Sequence, residues 1–122
     1  MSVENEILEE LAADAGLISL LVSDGRIMNG NLEKRLPMAP PLLLVEALKG
    51  EPEIVGEEGI IVDAWNCTIW IQAEGHASEI SEAAGMVMEG LGFESKGTRR
   101  LDAGKPEQEW LEMRFTGSRL RQ

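Results

Sequence analysis

The chain has 122 residues, 43% of them apolar and 27% charged, the size and composition of one soluble folded domain with its own core. Its formal charge is -11, which disfavours direct binding to a nucleic-acid backbone, because such binding draws its affinity from lysines and arginines that neutralise phosphates. A single cysteine, Cys67, and a single histidine, His76, exclude an intramolecular disulfide, a thiolate metal cluster and His-rich sites, and no segment has the uninterrupted apolar length of a signal peptide or a membrane span, so the chain is expected in the cytoplasm.

The acidity is concentrated at the front. Residues 1–62 carry 12 acids and 4 bases, whereas residues 63–122 carry 10 acids and 7 bases. The first element predicted is an amphipathic helix with Ile7, Leu8, Leu11, Ala12 and Ala15 at helical spacing and Glu4, Glu6, Glu9 and Glu10 in solvent. The early glutamates also suit the positive end of the helix dipole. Asp14 and Gly16 mark a bend, Leu17 to Val22 continues as buried helical turns, and Ser23-Asp24-Gly25 stops the helix. Arg26-Ile27-Met28 has the character of a short strand, and Asn29-Gly30-Asn31 is turn chemistry.

Pro37, Pro40 and Pro41 fix the backbone and remove donors, so the run from Leu36 to Pro41 is expected to enter the sheet extended. Leu42 to Ala47 then reads as a buried strand. Gly50 to Gly59, with Pro52 inside it, reads as a flexible hairpin tip carrying a solvated Glu57-Glu58. The longest predicted strand is Ile60 to Ala73, rich in β-branched and aromatic residues. Alternation places Ile61, Asp63, Trp65, Cys67, Ile69 and Ile71 on one face, with Trp70 among those on the other, so that one face packs on helices and the other is free for a partner. A second helix carries Ile80, Ala83, Ala84, Val87, Met88 and Leu91 on one stripe, with Met86 and Met88 as core filler, and closes at Gly90 and Gly92. Strands over Phe93–Leu101 and Gln108–Thr116 complete the chain, joined by an Asp102–Pro106 turn. The last strand sends Leu111, Met113 and Phe115 one way and Trp110, Glu112 and Arg114 the other. The sum is a single α+β domain over residues 1–122, of order α-β-β-α-β-β, with one mixed or antiparallel sheet under two helices and a C-terminal tail over about 117–122.

No catalytic constellation accompanies these elements, and no enzyme activity, cofactor or metal is expected. Gly90-Leu91-Gly92 with Lys96-Gly97-Thr98 lacks phosphate-loop spacing. Glu79 and Glu82 are a solvated helical pair, lacking the opposed environments that acid–base work requires. Asp63 is the most suggestive carboxylate, and an edge position or an Arg114 partner accounts for it without chemistry. Cys67 within an apolar run is a small core residue.

The order of elements, and several short motifs, resemble the tail-completion or tail-terminator proteins of long non-contractile-tailed phages. The resemblance is carried by a leading helix closing in Leu21-Val22-Ser23-Asp24-Gly25-Arg26-Ile27, by Leu36-Pro37 and Pro40 before an apolar strand, and by Asp63-Ala64-Trp65-Asn66 in a long strand. An alanine-rich second helix and a Leu101-Asp102 turn before Trp110-Leu111-Glu112-Met113-Arg114-Phe115 extend it over nearly the whole chain. It implies a virion component, assembled in the host cytoplasm, that caps the tail tube and joins it to the head connector. The working form in that family is a closed ring, commonly hexameric, through which DNA passes without specific binding, and the expected partners are further copies, the tail-tube protein and the head-connector protein. The candidate subunit interface is then Trp70, Trp110, Arg114, Arg119 and Arg121, and the candidate acidic channel surface is Glu9, Glu10, Glu57 and Glu58.

Two other classes fit the same composition. An acidic interaction protein could inhibit a nucleic-acid-binding enzyme by offering carboxylates where phosphates would sit, and DNA would compete with it. A small ligand-binding or enzymatic α+β domain would show a ligand-dependent rise in melting temperature.

Overall fold

Ser2 begins the first element: its Oγ accepts from Asn5 N at 3.1 Å, and Glu4 and Glu6 stand in the first turn of α1 (Val3–Ala13). This computed structural model describes residues 2–30, 39–104 and 106–121, except for the side chain of Val55. Val3, Ile7 and Leu11 form the buried stripe of α1. Asp14 then closes α1 and caps α2 (Ala15–Leu21), its Oδ1 accepting from Leu17 N at 2.8 Å. The expected bend is therefore a break between two helices. A 3-10 turn over Asp24–Arg26 leads into β1 (Ile27–Asn29), followed by β2 (Leu42–Val55), β3 (Ile60–Ala73), α3 (Ala77–Gly90), β4 (Glu94–Leu101) and β5 (Glu109–Leu120).

The strands form one mixed sheet in the order β1-β2-β3-β5-β4. β1 runs parallel to β2 through Ile27↔Leu43 to Asn29↔Val45, and the other pairs are antiparallel. The α+β class and single sheet stand, but among the described residues the order is α-α-β-β-β-α-β-β with three helices. Asp14 divides the first helix, and the three-residue β1 gains its ladder only from a distant stretch of β2.

The helices share one core with one face of the sheet. Leu43 and Val45 of β2, Cys67, Ile69 and Ile71 of β3 and Leu111, Met113 and Phe115 of β5 meet Ile7, Leu11, Leu17, Leu21, Ile80, Ala84 and Met88. A smaller cluster occupies the other face, where Leu42, Leu44 and Trp70 are packed by Met28 and Leu101. α3 ends as its glycines suggest. Gly92 has φ +90°, Gly92 N donates to Glu89 O and Phe93 N to Met88 O, both at 3.0 Å, and Phe93 and Met88 meet in the core. Met88 is fully buried, whereas Met86 is 67% exposed and fills no core.

Two segments differ in kind from the reading of the sequence. The segment 50–59 is no loose tip: β2 runs on to Val55, and only Gly56–Gly59 turns. A register shift between Lys49 and Pro52 accommodates the proline at an irregularity in the ladder, and Gly56 and Gly59 supply the positive φ angles of the turn. Residues 117–120 are no tail: Gly117 to Leu120 pair with Trp65 to Val62, and Arg121 N donates to Ile61 O at 2.9 Å. The Leu36-Pro37 lead-in, Asn31 and Gln122 lie outside the described residues. Pro40 and Pro41, joined by a cis peptide bond, directly precede β2.

Candidate functional site

Two carboxylates, each 7% exposed, gather Arg99, Arg114 and Arg121 of the C-terminal half. The first is Glu112, in the middle of β5. Cross-strand register places Trp70 of β3 on one side of it and Arg99 of β4 on the other, while Arg114, two positions along β5, shares its face. Trp70 Nε1 donates to Glu112 Oε2 at 3.2 Å, Arg99 donates through Nε at 3.0 Å and Nη2 at 3.3 Å, and Arg114 Nε donates to Oε1 at 2.9 Å. The Arg99 hydrogen bonds hold the Glu112 carboxyl below its usual range against the opposing effect of burial, with help from Trp70 and Arg114. Both arginine side chains remain more than 60% exposed. The outward character of this spot is therefore basic.

The second is Asp63 of β3. Arg121 grips it with two hydrogen bonds, Nη2 to Oδ1 at 2.6 Å and Nε to Oδ2 at 3.2 Å, and Lys49 Nζ lies 3.5 Å from Oδ2. The Arg121 hydrogen bond lowers the Asp63 pKa most. The strand is no edge here, since Asp63 sits between Pro52 and Arg119. Its partner is not Arg114, which belongs to Glu112.

Arg119 is a third tie. Its Nη2 donates to Leu91 O at 2.7 Å, at the end of α3, and to Glu6 Oε1 of α1 at 3.1 Å. Its guanidinium stands 4.6 Å from the centre of the Phe93 ring. One side chain thus joins β5 to two helices, and it favours the negative end of the α3 dipole.

The residues expected at an interface fall in different places. Trp70 is 9% exposed within the smaller cluster, and Trp110 is half-buried with its Nε1 donating to Gln108 Oε1 at 3.1 Å. All three arginines are engaged within the chain, and Arg114 is the most exposed of them. Of the acidic set, Glu9 and Glu10 are exposed on α1, and Glu57 and Glu58 are exposed in the β2–β3 turn. The sequence reading named Trp110, Glu112 and Arg114 as one face, but missed that Glu112 gathers Trp70 and Arg99, because cross-strand register decides that.

Little in these arrangements is suited to covalent chemistry. Burial pushes the Cys67 thiol up to about 11, so it stays a thiol rather than a nucleophilic thiolate. Gly90-Leu91-Gly92 is a helix stop, and Lys96 pairs with Glu94 at 3.3 Å. Among the described residues, no three of the types His, Cys, Asp and Glu gather so as to hold a metal ion, and no helix is long and apolar enough to cross a membrane. A groove of about 570 Å³ between α3 and β4 has Phe93, Met113 and Phe115 in its lining beside Met86, with the carboxylates of Glu82, Glu89 and Glu94 around them. Among the described residues, none of its lining is histidine, cysteine or lysine.

No family model and no curated protein matches this chain. Among solved structures it is similar to a chain of the virion of a native gene transfer agent (GTA) particle, with a TM-score of 0.64 over 98% of this chain and 96% of that one. The two sequences are 11% identical, so the likeness is one of fold.

Proposed function

We propose that this chain is a structural protein of a phage-type virion, a tail terminator that sits as a ring on the end of the tail tube and joins it to the head connector. The observation that carries the reading is the end-to-end likeness of fold to a virion chain, covering nearly all of both proteins. The motif order over nearly the whole sequence agrees with it. The role is one of assembly rather than catalysis, with further copies, the tail-tube protein and the head-connector protein as partners, and the site of action is the virion after assembly in the host cytoplasm. A ring of subunits with this net charge repels the DNA that passes through it, and Glu9 and Glu10 on α1 are candidates for the channel wall. Glu57 and Glu58 belong instead to the β2–β3 turn.

The test is genetic and visual. Disrupting the reading frame in a host that makes the particles is expected to leave tails of uncontrolled length without heads, and antibody against the chain is expected to mark the neck of intact particles. Normal particles from the disrupted host, or label anywhere but the neck, would overturn the reading.

A further inference from the structure

We infer that the outer part of the β2–β3 hairpin is an intersubunit arm that docks on the basic β4 edge of a second copy of this chain. The inference rests on the ring reading above and names the contact that would build the ring.

The arm begins where its neighbours stop. β1 covers β2 only at Leu43 to Val45, and the β5 ladder ends at Val62↔Leu120. Beyond that point Ile54–Val55 and Ile60–Ile61 pair with each other, and the one further main-chain tie among the described residues is the Arg121 N to Ile61 O hydrogen bond at its root. A two-stranded ribbon alone is marginal in water. This one also exposes Ile54 at 72% and Ile60 at 45%, with Leu48 at 58% and Leu120 at 65% near its root. Four of the six large apolar residues most exposed among the described ones thus lie on or beside the arm, Ile60 and Leu120 on one face of the ribbon and Ile54 on the other.

Charge selects the occupant. Residues 50–62 carry Glu51, Glu53, Glu57 and Glu58 and no base, and none of the four makes an ion pair among the described residues. β4, the outer strand of the sheet and exposed over Glu94–Arg100, is net basic: with Arg114 beside it, it carries Lys96, Arg99 and Arg100 against Glu94. Although these bases pair with Glu94, Glu109 and Glu112, their side chains stay about half exposed or more. The groove between α3 and β4 is ruled out as the seat, because its carboxylates would repel the arm. Two arms repel each other, and so do two β4 edges, so like-charge repulsion discourages the symmetric pairings. The remaining contact is heterologous, arm to edge, and repeats from copy to copy until it closes. Strand addition would supply main-chain hydrogen bonds to the outer edges of the arm and of β4, neither of which has a second ladder partner among the described residues.

The experiment measures solution mass by light scattering on the full chain and on two charge-reversed variants. The arm variant is Glu53→Lys with Glu57→Lys, and the edge variant is Lys96→Glu with Arg100→Glu. Neither changes the groups that hold Glu112 or Asp63. The unaltered chain is expected to associate with rising concentration and less so at high salt, each variant to associate at least about tenfold more weakly, and an equal mixture of the two to associate again. Loss in the single variants without recovery in the mixture would overturn the contact, as would unchanged association in either variant. Should a reversed variant fail to fold, Ile54→Ser, at an exposed position, is expected to weaken association several-fold with an unchanged melting temperature, and full association would overturn the inference. A chain that stays monomeric up to millimolar concentration would remove the arm contact too, yet neck labelling of particles would still support the terminator role.

Discussion

Gly117 shows how one missing side chain shapes a corner of the molecule. A β-carbon built there would lie 2.5 Å from Phe93 Cδ1 and 2.8 Å from Cε1, nearer than atoms pack. The ring has little room to retreat, since Phe93 is 3% exposed and has the Arg119 guanidinium over it. Gly117→Ala is therefore expected to destabilise the fold by about 1–3 kcal/mol through overpacking, read as a lower urea midpoint. A midpoint equal to that of the unaltered chain would mean that the ring shifts freely, and the tie from β5 to α3 would be looser than its distances indicate. The sequence marked this place only as the start of a tail. A glycine among polar residues signals nothing about an aromatic ring two elements away.

At the scale of elements, local signals were legible and long-range ones were not. The stripe of α3 and the Leu111, Met113, Phe115 alternation follow from helix and strand periods, which are local properties, and both ended in the core. The partner of Asp63 lies 58 positions away, and the Trp70 to Glu112 bond spans 42. Such pairs depend on register, which no local pattern states. Pro52 and the flanking glycines suggested a loop, because proline removes a ladder donor, but the irregularity beside Lys49 lets the strand continue. Asp14 is the clearest local signal, and it carries a test. With its side chain capping a helix of only seven residues, Asp14→Ala is expected to cost about 1 kcal/mol. Asp14→Asn, which keeps the acceptor, should recover most of that loss. Equal loss in both would mean that charge or packing, rather than the cap, matters there.

For the whole molecule, the two organising carboxylates set a direction for stability against pH. Asp63 is held below its ordinary 3.8 chiefly by the Arg121 hydrogen bond, and Glu112 below its ordinary 4.5 chiefly by Arg99. Between each folded value and the ordinary one, the unfolded chain binds more protons than the folded chain, so stability rises with pH through that interval. The contribution is fully present above about pH 4.5 and fades as the pH falls through the lowered folded values. Protonation also removes the acceptor charge that the exposed Arg99 and Arg114 share, leaving two like charges on one face. The isoelectric point near 4.5 lies at the edge of the same window, so net repulsion is smallest just where these pairs begin to weaken. Urea midpoints are therefore expected to be flat from pH 7 to 5 and to fall between pH 4.5 and 3. Glu112→Gln should lower the midpoint at pH 7, because the arginines lose their charged acceptor, and should make the fall below pH 4.5 shallower. An equally steep fall in that variant would assign acid sensitivity to the general change of charge, and the Glu112 cluster would then be a passive feature of the surface.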